Sequence, residues 1–458
     1  MIKFKDSFVF GGSMSSIQND GQGPFEAYRS NYDLVWEKKS DLFFNKIGHH
    51  KTCDFMNTYK EDLVLLKACG IDAIRHSFAL SKLFPTADVK PNPILVKYYH
   101  ELIAEMKKNN IKPMMTIMHF DMPEWMALEG GLASEVFVDK FLKMSQFIID
   151  EYGAELEFIA TFNEPIIQCG SCFLVQGEGG FYPHEFNMQK YFDAINNVII
   201  STAKTIAYLK TTNKKVKVGI VVDLSPAYPR NSLNQKDLEA VKYFTAYREE
   251  SLLIPLANGE VPQLYFKMID ELGCSNNLSK NLDLISKNKS MWIGINYYIP
   301  SYIKEPKPNA DLKKFERYFS NWDKPIVTMN KSRGWIIKPD TMYEIGMMMK
   351  NKYHNIEWFI TENGIAIEDE AVDYTFEGKI IDDYRIEFYQ EHLKELHKAI
   401  TAGSNCSGYL IWTPIDSWSY MNAYKNRYGL IQLDLETYKK IPKKSATWFK
   451  ELSVKKGF

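Results

Sequence analysis

Phe158-Ile159-Ala160-Thr161-Phe162, followed by Asn163-Glu164-Pro165, is a short unbroken apolar run that ends on a glutamate. Trp358-Phe359-Ile360, followed by Thr361-Glu362-Asn363-Gly364, has the same form. Runs of this kind mark parallel strands covered on both faces, and parallel neighbours need helical crossovers between them. Working outward, runs rich in Val, Ile, Phe, Met and Trp recur at 8–12, 73–77, 113–119, 158–163, 216–223, 292–296, 358–362 and 408–412. Helical spacing fills the intervals at 54–69, 94–109, 136–152, 189–209, 237–257, 341–352 and 383–402, with Gly70 as a stop after the first. Strand and helix alternating in this way predict the α/β class and a closed (β/α)8 TIM barrel with extended loops on its C-terminal face. An open doubly wound sheet is the competitor, yet Gly11-Gly12-Ser13-Met14 after the first run lacks the dinucleotide fingerprint. The expectation is one domain over residues 1–458.

Catalytic groups of such barrels collect at the C-terminal ends of the strands. Those ends carry Arg75, His119, Asn163 with Glu164, Asn296 with Tyr298, Glu362 and Trp412. Connections at 13–53, 170–187 and 304–335 are longer than packing needs, and long loops on that face shape a substrate pocket. Trp448 and Phe449 give the tail after Lys443 apolar anchors.

Lys and Arg number 56 against 57 for Asp and Glu, with no long run of one sign, so the electrostatic footprint of a nucleic-acid binder is missing. No stretch approaches membrane-spanning length and the N-terminus shows no apolar leader, so a cytoplasmic protein is expected. The six scattered cysteines fit a reducing compartment. Cys169 and Cys172 form one C-x-x-C without a second pair or a histidine pair to complete a zinc site, so neither metal nor cofactor is expected. His49 and His50 read as loop residues without a role.

Two glutamates distant in sequence, at strand ends of one barrel, supply the paired carboxyls that cleavage of a glycosidic bond requires. Other segments narrow the reading: Phe10-Gly11-Gly12 with Gln18, Tyr59-Lys60-Glu61-Asp62, Arg75-His76-Ser77, Phe84-Pro85, His119-Phe120-Asp121-Met122-Pro123, Asn296-Tyr297-Tyr298, and Trp412 to Asp416 with Arg427-Tyr428-Gly429. In this order and over nearly its full length, the chain resembles glycoside hydrolase family 1, the β-glucosidase and 6-phospho-β-glucosidase group. The resemblance implies a retaining enzyme with Glu164 as general acid/base and Glu362 as nucleophile. A retaining site holds its carboxyls about 5 Å apart. Charges that close disfavour joint ionisation, so Glu164 is expected to be protonated at rest, while Arg75 and the Tyr298 hydroxyl keep Glu362 ionised. By the same resemblance Asn163 bonds the sugar 2-hydroxyl, Gln18 and His119 hold other hydroxyls, Asn296 joins the binding set, Trp412 is a stacking floor, and Trp335 lies on the leaving-group side.

The segment after the last strand departs from part of the family. Members acting on unphosphorylated sugars usually carry a Glu-Trp pair where this chain has Ser419-Tyr420. The phospho-glycosidase branch has serine there, then a lysine and a tyrosine on the 6-phosphate. Tyr428 matches the tyrosine; the lysine position is Asn426, and a lysine sits one place earlier as Lys425. A buried glutamate would repel a phosphate dianion whereas a serine hydroxyl donates to it, which favours a phosphorylated substrate. Arg427, common to both branches, reads as structural. Leu80, Lys82 and Phe120 also differ from the usual residues, and none removes the catalytic pair. The expected ligand is thus a small-molecule β-glycoside, 6-phosphorylated on the favoured reading. An unphosphorylated β-glucoside or β-galactoside is the first alternative, and a sugar-binding barrel without catalysis the second. A metal-dependent barrel hydrolase needs a His-x-His pair at the end of the first strand, where this chain has glycines.

Overall fold

A computed structural model describes residues 2–23, 28–175, 180–323, 325–330 and 332–458. Eight parallel strands close into a barrel: β1 (Val9–Ser13), β2 (Ala73–Ser77), β3 (Lys112–Met118), β4 (Phe158–Asn163), β5 (Lys217–Leu224), β6 (Ile293–Tyr297), β7 (Trp358–Glu362) and β8 (Cys406–Trp412). Closure is made where β1 pairs with β8 from Val9 and Gly408 to Ser13 and Trp412, and with β2 at Ser13 and Arg75. The helices that wrap it are α1 (Phe55–Ala68), α2 (Pro93–Lys108), α3 (Phe137–Tyr152), α4 (Met188–Leu209), α5 (Gln235–Thr245), α6 (Thr341–Lys352), α7 (Asp383–Thr401) and α8 (Lys444–Lys455). Each strand expected from sequence is present, with ends shifted by at most two residues.

Ala73, Met114, Phe158, Ala160, Val221, Trp292, Phe359 and Leu410 pack together as an apolar floor inside the barrel. Two residues further along their strands stand Arg75, Thr116, Asp223 and Trp412, so the period-two column turns polar as it nears the mouth. Gly294 of β6 lies where Thr361 and Val221 converge. A Cβ there would stand 2.7 Å from the Thr361 methyl, so glycine is needed for β6 and β7 to bring their upper residues together.

The long connections are not bare loops. The first holds a helix at Asn31–Lys39, capped by Ser30 and Asp33, and the second begins inside a helix at Pro165–Phe173. The third makes a small antiparallel pair, Met329–Asn330 with Trp335–Ile336. Residues 24–27, 176–179, 324 and 331 of these connections lie outside the described residues. Among the described residues no helix is long and apolar enough to cross a membrane. All six cysteines are free, and burial raises the thiols of Cys169 and Cys172 above their ordinary range, which disfavours the thiolate that redox or metal chemistry would use.

Candidate active site

β4 and β7 each lose regular register near the mouth, between Ala160 and Asn163 against β5 and between Ile360 and Glu362 against β6. Strict alternation from Phe359 would send Thr361 inward and Glu362 outward; the shift lets both reach the barrel interior. Thr361 Oγ1 donates to Asn296 Oδ1 at 2.8 Å, and Glu362 faces a cavity of about 620 Å³. Glu164 leaves β4 with φ +45° and ψ 53°, a left-handed turn that is costly for a residue with a side chain and starts the next helix at Pro165.

Arg75, fully buried on β2, is the hub. Its guanidinium donates to Glu362 Oε1, to Asn163 Oδ1 at 3.1 Å, to Ser13 Oγ at 3.1 Å and to Thr116 Oγ1 at 3.3 Å. Tyr298 Oη donates to the other Glu362 oxygen at 2.7 Å. Asn296 Nδ2 donates to Glu164 Oε1 at 2.7 Å and to Asn163 Oδ1 at 3.1 Å. Asn163 Oδ1 is thereby used twice, while its buried Nδ2 has no partner among the described residues. A buried amide with an unspent donor on the cavity wall is a ready contact for a hydroxyl.

The two carboxyls differ in environment. Burial pushes Glu164 well above the usual carboxylate range, and the charges of Glu362 and then Asp223 push it further. Burial raises Glu362 as well, but Arg75 and Tyr298 oppose it. Glu164 therefore holds a proton to higher pH, and Glu362 is the one that ionises first. His119 is kept neutral by burial and by the adjacent Arg75 charge.

Gln18, His119, Asn163, Glu164, Asn296, Tyr298, Trp335, Glu362, Trp412, Ser419, Tyr420 and Tyr428 all line this one cavity. Trp412 lies 5.9 Å from the His119 ring, and Trp335 lies 5.4 Å from Tyr298 and 6.4 Å from Tyr428, centroid to centroid. Gln18 is oriented by Ser15 and by the Trp418 carbonyl, and Tyr420 donates to the Gly180 carbonyl at 2.8 Å. Arg75 stands behind the lining on Glu362, and Lys425, expected to bind substrate, points elsewhere. It is not among the lining residues, and its ammonium lies 3.3 Å from Glu368 on a side chain 38% exposed. Arg427 stands 3.8 Å from Asp416, whose Oδ1 accepts the Gly429 N–H at 2.8 Å and the Lys443 ammonium at 3.0 Å. That buried network anchors the loop carrying Ser419 and Tyr428.

Other residues of the wall carried no sequence signal. Arg248 forms an ion pair with Asp223 beside Glu164. Its segment reads as ordinary helix, but the backbone widens to π turns at Ala246–Glu250 and Ile254–Asn258. Arg333 and Asn422 also line the cavity. Outside it, Asp33, His49 and His50 bring their ligand atoms within 4.8 Å of one another, and the second Asp33 oxygen is spent on Ser30 at the helix cap.

A parallel barrel with two unlike carboxyls facing one cavity at its mouth defines a glycoside hydrolase of the paired-carboxylate class. The chain belongs to glycosyl hydrolase family 1, whose model matches residues 1–458. It is 34% identical to the 6-phospho-beta-glucosidase GmuD of Bacillus subtilis (strain 168), over 100% of this chain and 98% of that one. It is 30% identical to the 6-phospho-beta-galactosidase of Leptotrichia buccalis, over 99% of each. The family 1 β-glucosidase of Thermotoga maritima superposes with a TM-score of 0.91 at 26% identity, covering 100% of both chains. A β-glucosidase from Thermotoga maritima in complex with deoxynojirimycin gives 0.91 at 25% over the same coverage.

Proposed function

We propose that this glycoside hydrolase is a retaining β-glycosidase whose preferred substrate is a β-glucoside carrying a 6-phosphate. Glu362 attacks the anomeric carbon as Glu164 gives its proton to the departing glycosidic oxygen, so the bond to the aglycone breaks while an ester to Glu362 forms. Esterification removes the Glu362 charge, the pKa of Glu164 falls, and Glu164 then takes a proton from the water that cleaves the ester. Two inversions give net retention. Asn163 Nδ2 meets the 2-hydroxyl, Gln18 and neutral His119 hold other hydroxyls, Trp412 supports the sugar ring, and Trp335 flanks the leaving group. The observation that carries this reading is the unequal treatment of the two acids: Arg75 and Tyr298 hydrogen-bond Glu362, whereas Glu164 accepts from Asn296 next to a second acid, Asp223.

The phosphate rests on Ser419 and Tyr428 at the cavity wall and on the likeness to two relatives whose names specify 6-phospho-sugars. A phosphate dianion does not cross a bilayer unaided, which supports a cytoplasmic enzyme. An unphosphorylated β-glucoside is the second reading, favoured by the turn of Lys425 away to Glu368. Steady-state kcat/KM on an aryl β-glucoside and its 6-phosphate, with the same aglycone, separates them. The phosphorylated substrate is expected to be preferred; preference for the free sugar overturns the phosphate reading, and absence of turnover on both overturns the catalytic one.

A further inference from the structure

The cations at and just behind the cavity wall are of two kinds. Arg75 is spent on Glu362, and Arg248 on Asp223. Arg333, on the turn between Met329–Asn330 and Trp335–Ile336, has no carboxylate partner among the described residues. Its Nε is buried and without a hydrogen-bond acceptor among them. A guanidinium with a buried, unspent donor beside a substrate cavity is an energetic oddity unless an anion completes it, because an unmade hydrogen bond from a charged group carries the full desolvation cost.

The place of Arg333 says which anion. Its guanidinium stacks 4.4 Å over the Trp335 ring, and Trp335 neighbours Tyr428. The turn is held from both sides: Gly334 N–H donates to the Asn330 carbonyl at 2.7 Å, Asn330 Nδ2 donates to the Ala366 carbonyl at 2.7 Å, and Ser332 Oγ accepts from the Glu368 N–H at 3.1 Å. Ile367–Glu368 in turn pairs with Asn426–Arg427, which leads directly into Tyr428. The turn bearing Arg333 and the segment bearing Tyr428 are thus clamped to one short ribbon. That ribbon has Asn426 where a lysine is expected, and Lys425 beside it faces Glu368.

We infer that Arg333, reaching across from the connection between β6 and α6, is the cationic ligand of the substrate 6-phosphate, standing in for the countercharge that Asn426 lacks and Lys425 does not deliver. This rests on the phosphorylated substrate proposed above. A guanidinium presents a planar fork to phosphate, and stacking on Trp335 limits the freedom lost on binding.

The test is steady-state kinetics of wild type, Arg333→Met and Arg333→Lys on 4-nitrophenyl β-glucoside 6-phosphate and on 4-nitrophenyl β-glucoside, with inhibition by free glucose 6-phosphate. Arg333→Met is expected to lower kcat/KM for the phosphorylated substrate by about 30- to 100-fold and weaken glucose 6-phosphate by a similar factor, with the free glucoside changed by less than about threefold. Arg333→Lys should fall between, since it keeps the charge and loses the fork. Equal losses on both substrates in the Lys as well as the Met variant assign Arg333 to supporting Trp335 and overturn the inference. A wild type that prefers the phosphorylated substrate, with an Arg333→Met variant that prefers it just as strongly, overturns the inference and leaves the phosphate reading standing. A wild type without that preference removes both.

Discussion

Arg75, Asn163, Asn296 and Glu362 stand on four different barrel strands and hydrogen-bond one another, directly or through one partner, in a buried cluster. Ser419, Tyr428 and Arg333 line the same cavity from two connections, and the segments bearing Tyr428 and Arg333 are tied by Trp335 and by the ribbon at 367–368. The first set inherits its positions from strand ladders that the fold cannot give up. The second set is free to change without disturbing a strand, which is where a common chemistry acquires different substrates. Unspent donors occur in both sets: in the strand-built cluster the buried Asn163 Nδ2 has no partner among the described residues, and among the loop-built residues the same holds for Arg333 Nε.

The largest expected effect lies in the strand-built cluster. Glu362→Gly should lower kcat on the order of 10⁴- to 10⁶-fold. Added azide should restore turnover with an inverted glycosyl azide as product, read by NMR of the anomeric proton. A variant of near-wild-type rate would dissolve the distinction between the two ends. Glu164→Ala should cost about 10²- to 10⁴-fold on alkyl glycosides, whose leaving groups need a proton, and far less on dinitrophenyl glycosides in the glycosylation step. Equal losses would remove Glu164 from the acid role.

At the loop-built end, Ser419→Glu sets a carboxylate against the phosphate and should reduce kcat/KM for the phosphorylated substrate on the order of 100-fold, while kcat/KM for the free glucoside holds or rises. If both substrates respond alike, Ser419 does not sense the sugar 6-position. A pH measurement returns to the cluster. Glu362→Gln removes a negative charge that helps hold the Glu164 proton, so the Glu164 carboxyl, followed by difference infrared titration, should ionise at lower pH than in wild type. In the wild type, activity should fall as rising pH takes that proton from Glu164, and should fall at the acid side as Glu362 becomes protonated. An unmoved Glu164 titration in Glu362→Gln would mean the two acids do not interact. The smallest effect belongs to Lys425→Ala: an exposed ion pair with Glu368 contributes little, and kcat/KM on either substrate should stay within about twofold of wild type. A tenfold loss confined to the phosphorylated substrate would return Lys425 to the phosphate.

The sequence determined the barrel and most of the mouth, because both are local patterns. Short continuous apolar runs alternating with helical spacing read as strands covered on both faces, and the C-terminal end of such a strand lies at the mouth. Arg75, His119, Asn163, Glu164, Asn296, Glu362 and Trp412 were legible on that ground. Tertiary structure alone decided the rest. Alternation by itself would turn Glu362 out of the barrel, and the register shift against β6 that turns it in depends on strand pairing and leaves no mark in composition. Arg248 is aimed by a π turn within a stretch of ordinary helical spacing. Lys425 turns to Glu368 because a one-residue step along an extended segment reverses a side chain, whereas the turn bearing Arg333, far away in sequence, is folded onto the same cavity. Which cation faces the substrate is a property of how the loops pack, and no residue type or spacing encodes it.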